Sequence, residues 1–407
     1  MSSGSSADVR RLGVALLGST GSIGQQTVEV LEAHADRFVV RALAAGRRAA
    51  ELETQARRLR PAVVALADQA VALDLPAGTE RWRGGDALER MAVRDDVDLV
   101  IVGTGGIVSL RPVLAALRAG KVVATANKET LVAGGHLVMA EANRRAAERA
   151  AVDPHDALAT PLAWVRPIDS EHSAIWQCLI GEPTDGIARL VLTASGGPFR
   201  DAPAEEIAAA TPAQALRHPN WSMGAKITID SATLANKGLE VIEARWLYDV
   251  GYDAIDVVVH PQSIVHSAVL FVDGSLKAQL GTHDMRLPIQ YALTHPLRLP
   301  SPSTPPDLVA AARLDFRAPD EARFPALRIA RDAGRVGSRA SAALISADEV
   351  AVARFLDGSL GFGGIPRLLE AAVRRFGDGP NQAPDVDELL ALDRDVRAAF
   401  ATGPVAP

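Results

Sequence analysis

Two short runs carry residue types that do chemistry when brought together. The first lies in AKITIDSATLANKGLEVIEARW, Ala225 to Trp246, where Asn236, Lys237 and Glu240 follow in close order. On a helix, residues three and four apart share a face, so Asn236 and Lys237 each sit one turn from Glu240. An amide, a cation and a carboxylate on one face are costly to bury without a ligand. They suit a charged or polyhydroxylated small molecule, with or without a metal. The alternative is a solvated helix face with an ordinary Lys–Glu pair. The second run is PIDSEHSAIWQCL, in which Asp169 and Glu171 stand two apart and point the same way if the segment is extended. Two facing carboxylates raise each other's pKa unless a cation joins them. Oxygen-only ligation suits Mg²⁺ or Mn²⁺. The alternative there is that Asp169 or Ser170 caps the helix that follows.

Elements on either side must position these groups. Leu12 to Leu17 reads as a buried strand, GSTGSIG follows with Gly18, Gly21 and Gly24, and an amphipathic helix runs from about Gln25 to His34. Strand, glycine turn and helix form a dinucleotide-binding context, because glycines let the backbone approach a pyrophosphate at a helix N-terminus. The spacing is GxxGxxG, which a plain tight turn also fits. A second strand, Phe38 to Ala44, ends in Gly46–Arg47–Arg48. An acidic residue at this strand end would bind ribose hydroxyls; a basic one suits the 2′-phosphate of NADP. Ala62–Ala67, Leu99–Val102 and Val122–Thr125 read as further strands, with helices over Leu110–Ala119 and Leu131–Ala150. Alternating strands and helices predict a parallel, doubly wound sheet. Its ligand belongs beyond the strand C-termini, where Gly18–Gly24, Gly46–Arg48, Gly103–Gly106 and Asn127–Glu129 all fall.

Ala151 to Pro167, with three prolines, reads as an exposed linker. Leu190–Thr193 is a strand leading into a Ser–Gly–Gly turn at Ser195 that offers N–H groups and a hydroxyl to an anion. LRHPNWSMG, Leu216 to Gly224, is a polar loop whose Trp221 suits a lid that excludes water. The 225–246 stretch opens on a strand-like run, Lys226 to Asp230, before its helical pattern. Ile255–Val259 is a strand ending in HPQSIVHSAVLFV, whose His260 and His266 read as structural. LRLPSPSTPP marks a second boundary. Beyond it Phe324–Ala333, Ser338–Leu356, Ile365–Phe376 and Val386–Phe400 read as amphipathic helices of a small bundle with no chemistry beyond packing.

Composition sets the outer limits. The chain has 407 residues, 48% apolar and 23% charged, with a net charge of −6 and a pI near 5.9. This is the profile of a globular protein of two or three domains. No basic excess argues for nucleic acid or an anionic membrane, and the two longest uncharged runs are too broken to span a bilayer. The single cysteine, Cys178, fits a reducing cytoplasm and excludes a Cys-rich zinc site. Met1–Ala7, rich in Ser and Gly, reads as disordered.

GSTGSIG, ANKET, PIDSEH, SGGPF, RHPNWSMG, DSATLANKGLEVIEA and HPQSIVHS occur in that order. The set resembles the 1-deoxy-D-xylulose 5-phosphate reductoisomerases of the non-mevalonate isoprenoid pathway over nearly the whole chain. The resemblance implies a Rossmann-like NADP-binding domain at 8–167, an α/β catalytic domain with a dimerisation sheet at 168–298, a linker at 299–318 and a helical domain at 319–403, in a cytoplasmic homodimer. It implies an NADPH-dependent, Mg²⁺- or Mn²⁺-dependent isomerisation and reduction of a sugar phosphate to 2-C-methyl-D-erythritol 4-phosphate, by retro-aldol/aldol rearrangement followed by hydride transfer. By the same resemblance Asp169, Glu171 and Glu240 ligate the metal, and Ser195, Ser231, Asn236 and Lys237 hold the substrate phosphate. Ser170 and Lys128 contact the reacting backbone, His218 contacts substrate, and Trp221 closes over it. Thr20, Gly21, Ser22, Ile23, Gly46, Arg47, Asn127, Glu129 and Gly224 bind NADPH, and Arg48 joins them at a position where the family usually has Asn or Ser. Two further departures are a longer segment at Ala151–Trp164, and Ile345–Ser346–Ala347–Asp348–Glu349 where the family usually has Asn-Ala-Ala-Asn-Glu; no site is transferred there. An NADPH-dependent reductase of another small carbonyl compound, or an NADP(H)-sensing protein, would need only the first half of these motifs.

Overall fold

The structure, a computed structural model, describes residues 10–379 and 383–403. Met1–Ala7 thus lies outside the described residues. The first strand, β1 (Leu12–Leu17), is buried after its first residue, as expected of a strand covered on both faces. Helix α1 (Ser22–Ala33) begins earlier than its periodicity suggests, directly from the glycine turn. The chain continues through β2 (Phe38–Ala45), α2 (Ala49–Leu59), β3 (Val63–Leu66), β4 (Glu80–Trp82), α3 (Ala87–Ala92), β5 (Leu99–Val102), α4 (Leu110–Arg118), β6 (Val122–Thr125), α5 (Lys128–Ala150), α6 (Pro161–Trp164) and β7 (Val165–Pro167). These strands form one sheet in the order β4-β3-β2-β1-β5-β6-β7, parallel throughout. The order reverses at β1, so the crevice lies between the ends of β1 and β5, where Leu17 pairs with Val102. Gly18 (φ 91°) closes that edge: a Cβ on it would stand 2.5 Å from the Gly103 carbonyl oxygen.

The expected linker over Ala151–Pro167 is only half correct. Ala151–Pro154 is exposed, but Trp164 is buried with its Nε1 donating to the Leu158 carbonyl at 2.8 Å. Val165–Pro167 is a buried edge strand beside β6. An edge strand accommodates a proline at its end, because no ladder donor is needed there.

The second part begins with α7 (Ser170–Leu179), β8 (Ile187–Ala194), α8 (Ala204–Ala208), α9 (Pro212–Ala215), α10 (Ala225–Thr233) and α11 (Ala235–Tyr248). It continues through β9 (Ile255–Val259), β10 (Val265–Phe271), β11 (Leu276–Leu280) and α12 (Arg286–Thr294). Its sheet runs β11-β10-β8-β9, antiparallel except for the β8–β9 pair. Lys226–Asp230 is therefore helical, not a strand. Its β-branched residues favour extension locally, but Ile229 and Ala232 fall on one buried helical face, and tertiary burial overrides a weak propensity. Helix α12 turns back to the first sheet, where Ile289, Ala292 and Leu293 share a core with Val14 and Leu16.

After a long coil with one short helix, α13 (Leu308–Ala311), four helices follow: α14 (Ala326–Val336), α15 (Ser338–Leu356), α16 (Gly364–Phe376) and α17 (Val386–Phe400). They dock on α5 and α11. Gly238 of α11 is the close approach: a Cβ there would meet the Ala330 methyl at 2.5 Å.

Candidate active site

Asp169 is placed by the end of β7 and the start of α7. Its Oδ1 accepts from the backbone N–H of Glu171 at 3.0 Å and of His172 at 3.4 Å, so it caps the helix. Its Oδ2 accepts from Lys128 Nζ. Capping and facing a cation are thus properties of one carboxylate. The two acidic residues converge because Asp169 is the cap and Glu171 lies in the first turn, not because the segment is extended. Glu240 comes from α11, after a left-handed residue, Leu234 (φ 60°), breaks α10 from α11. Oxygens of Asp169, Glu171 and Glu240 all lie within 4.8 Å of one another.

Two lysines are threaded among these carboxylates. Lys128, at the start of α5, also lies 3.4 Å from Glu240 and 3.7 Å from Glu243. Lys237 is 3.0 Å from Glu171 and bonds Glu240 as well. Asn236 Nδ2 donates to Glu240 Oε1 at 2.6 Å, and Ser170 Oγ donates to Glu171. Burial works to raise the Glu171 carboxyl, but the Lys237 ammonium and the Ser170 hydroxyl outweigh it and hold it down at about 2. Four carboxylates, counting Glu243, face two ammonium groups. Formally this leaves two negative charges, matching the charge of one divalent cation, before counting His172, whose Nε2 stands 3.4 Å from Glu243.

A second cluster lies where β8 ends. His218 Nε2 stands 3.0 Å from Ser195 Oγ and 3.1 Å from Ser231 Oγ. Its Nδ1 accepts from the backbone N–H of Asn220 at 3.2 Å and of Trp221 at 2.9 Å. That fixes the tautomer: Nε2 carries the proton and points at the two serines. Burial, then the Arg200 charge, lowers its pKa to about 4. Gly197 (φ 69°) brings the Ser195 turn against α10, where a Cβ would stand 2.6 Å from the Ser231 carbonyl oxygen. Trp221 lies edge-on to His283 at 5.2 Å and 6.1 Å from His266. Asn220 Nδ2 ties the same loop to the Pro261 carbonyl at 2.6 Å and to Ser263 Oγ at 3.2 Å.

One cavity of about 640 Å³ joins these clusters to the glycine turn. Lys128, Asp169, Ser170, Glu171, Ser195, His218, Trp221, Ser231, Asn236, Lys237 and Glu240 line it, with Ser22, Ile23 and Gly224 from the cofactor set. Thr20, Gly21, Gly46, Arg47, Arg48, Asn127 and Glu129 are not among its lining residues. Gly46, Arg47 and Arg48 are exposed at the end of β2, and Arg48 Nη1 donates to the Thr20 carbonyl at 2.8 Å. Asn127 caps α5 and donates to the carbonyls of Thr104 and Gly106 at 2.9 and 2.8 Å. Glu129 faces Lys226 at 3.7 Å. Sequence reasoning missed Glu243, His283, Met285 and Arg286. Glu243 repeats the Glu240 face one turn later, and THDMR carries a visible cluster of polar types. The group that Lys226 forms with the buried Asp230 and Asp348 was missed too: Lys226 and Asp230 stand four apart, but Asp348 lies far along the chain.

A doubly wound sheet whose crevice opens toward a group of carboxylates able to hold a cation is the arrangement of a dinucleotide-dependent oxidoreductase. Comparison with known proteins makes this specific. The family model for 1-deoxy-D-xylulose 5-phosphate reductoisomerase matches residues 14–135, and those for its C-terminal domains match 165–248 and 280–399. The chain belongs to the 1-deoxy-D-xylulose 5-phosphate reductoisomerase family. The reductoisomerase of Pelotomaculum thermopropionicum is 47% identical over 390 residues, covering 94% of this chain and 96% of that protein. That of Heliobacterium modesticaldum is 49% identical over 400 residues, covering 96% of each. The solved Zymomonas mobilis enzyme in complex with NADPH superposes with a TM-score of 0.84 at 37% identity, covering 96% of this chain and 98% of that one. A reductoisomerase in complex with NADPH, fosmidomycin and magnesium also gives 0.84, at 35% identity, covering 96% and 97%.

Proposed function

We propose that the protein converts 1-deoxy-D-xylulose 5-phosphate to 2-C-methyl-D-erythritol 4-phosphate with NADPH and a divalent cation, Mg²⁺ or Mn²⁺. The observation that carries this reading is the single cavity reaching from the glycine turn to the carboxylates and to the Ser195–His218–Ser231 cluster. Its size suits a small polar molecule beside the reacting end of a cofactor. The donor set fits the cation: three close carboxylates, oxygen only, in a group short of two positive charges. Asp169, Glu171 and Glu240 would hold it. When bound, the cation polarises the substrate oxygens and NADPH supplies the hydride.

The chain's own residues do the rest. Ser195, Ser231 and His218 Nε2–H form a donor wall for the phosphate, with Asn236 and Lys237 on the neighbouring surface. Anchoring a non-reacting group there fixes the reacting carbons at the other end. Lys128, held in place by carboxylates, presents an ammonium to oxyanion charge as it develops, and Ser170 orients the same end. Trp221 covers the substrate and excludes water. Ser22, Ile23 and Gly224 line the cofactor end, with Thr20, Gly21, Gly46, Arg47, Arg48, Asn127 and Glu129 completing the NADPH site in this reading.

We divide the chain into a cofactor domain (8–167), a catalytic domain (168–298), a linker (299–318) and a helical domain (319–403). We read it as a cytoplasmic homodimer paired through the second sheet. In support, β11 is an edge strand with Leu276 exposed, and among the described residues no helix is long and apolar enough to cross a membrane. Light scattering tests the dimer. The reaction is tested by following NADPH oxidation with 1-deoxy-D-xylulose 5-phosphate, with Mg²⁺ or Mn²⁺ and then with chelator. Metal-dependent oxidation is the expected result; none by a folded protein overturns the assignment.

A further inference from the structure

Lys226 is the second residue of α10. The first turn of a helix is the positive end of its dipole, so a cation is disfavoured there unless anions surround it. Here three carboxyl groups do, each from a different element, with burial and the neighbouring Asp348 pushing the Asp230 carboxyl well above its usual range. Asp230, one turn along α10, brings Oδ2 to 2.7 Å of Nζ, and Asp348 of α15 brings Oδ2 to 2.6 Å. Glu129 of α5 stands at 3.7 Å. Asp230 and Asp348 are 2% and 1% exposed, whereas the Lys226 side chain is 31% exposed, so the carboxyl groups are shielded from water while the ammonium is partly screened.

None of Lys226, Asp230 and Asp348 lines the cavity, yet their neighbours do. Gly224, Ile227 and Ser231 of the same stretch line it, and so does Lys128, adjacent to Glu129. Next to Asp348, Glu349 closes on the loop at Gly106 and pairs with Arg397 of α17 at 2.5 Å. Helix α15 thus meets both α10 and the cofactor half at the same place. An ammonium has three N–H donors, and here it faces three carboxylates. Apolar packing would hold three helices together at lower desolvation cost, but would not fix their spacing through a single point.

We propose that Lys226 is a positioning residue that sets how Lys128 and Ser231 are spaced in the cavity they both line, and that Asp348 gives the C-terminal helices their hold on the active site. The inference rests on the reaction proposed above.

The test compares D348A and D348N in the full-length protein, with wild-type turnover of 1-deoxy-D-xylulose 5-phosphate measured first. D348A removes the tether: kcat/KM for the sugar phosphate falls roughly tenfold, mainly through KM, as expected when binding groups are displaced by a fraction of an ångström. D348N keeps the shape and one acceptor oxygen but removes the charge, so kcat/KM recovers only partway from D348A toward wild type. D348A with a lowered Tm but wild-type kcat and KM overturns the proposal, because the contact is then structural only. D348N as impaired as D348A overturns it too. Should D348A give no cooperative melting transition, K226R replaces it, keeping the charge but altering its reach. A raised KM then supports the proposal and wild-type kinetics overturn it. Absent wild-type turnover removes the reaction itself, a result distinct from turnover that D348A leaves unaffected.

Discussion

At the scale of single residues, the two clusters make separable demands. Glu240 is buried and bonded by both Asn236 and Lys237, so Glu240→Gln keeps the shape and removes one charge. We expect kcat/KM to fall more than about a hundredfold, the scale set by losing several kcat-relevant kcal/mol of charge stabilisation. NADPH affinity should be nearly unchanged in a fluorescence titration, and added Mg²⁺ should raise the Tm of wild type but not of the variant. His218 makes a pH prediction. Its folded pKa, about 4, lies below the unfolded value near 6.5, so the fold favours the neutral ring. That contribution is complete above the unfolded value and is lost as pH falls toward 4. Tm should therefore decline through this window. His218→Gln should remove part of the decline, with His295, also lowered to about 4, supplying another part. The Asp169–Glu171 pair and Glu240 were each legible in their own motifs, and the family resemblance was what joined them into one trio. Asp348 was visible only as a departure from the family's usual run, and its role was not, because its partners lie far away in the chain.

At the scale of elements, the glycine turn shows how alike residues differ. A Cβ on Gly24 would meet the carbonyl oxygens of Gly18 and Ser19 at 2.3 and 2.4 Å, whereas on Gly21 the nearest atom is 3.4 Å away. Gly24→Ala should therefore cost about 1–3 kcal/mol of stability by overpacking. Gly21→Ala should leave Tm unchanged but weaken NADPH binding if the pyrophosphate approaches that backbone. Thermal melts paired with NADPH titrations distinguish the two. The glycine spacing was readable, but which glycine is closed by its own turn needed coordinates. The same limit explains Lys226–Asp230. Its β-branched residues read as a strand, while the buried face formed by Ile229 and Ala232 emerges only against α11 and α15. It also explains Val165–Pro167, where prolines suggested a linker and the edge of a sheet proved able to hold them.

At the scale of the whole molecule, alternation of strands and helices gave the five central strands of the first sheet but not its edges β4 and β7, and the amphipathic periods gave three of the last four helices nearly to the residue, α14 being displaced by two to three. What could not be read was how they meet: α12 returning to the first core, and α15 reaching α10 and the Gly106 loop at once. The carboxylate centre also bears on how the protein comes into being. Lys128 and Lys237 already neutralise half of its negative charge, so the chain carries its own counterions. Small domains folded by a metal cannot stand without it; this one should fold first and be metallated afterwards. Chelation is expected to silence turnover while leaving the circular dichroism spectrum and a cooperative melt in place, with activity returning on adding Mg²⁺ or Mn²⁺. Supply at the moment of loading, rather than during synthesis, would then decide which ion the enzyme carries.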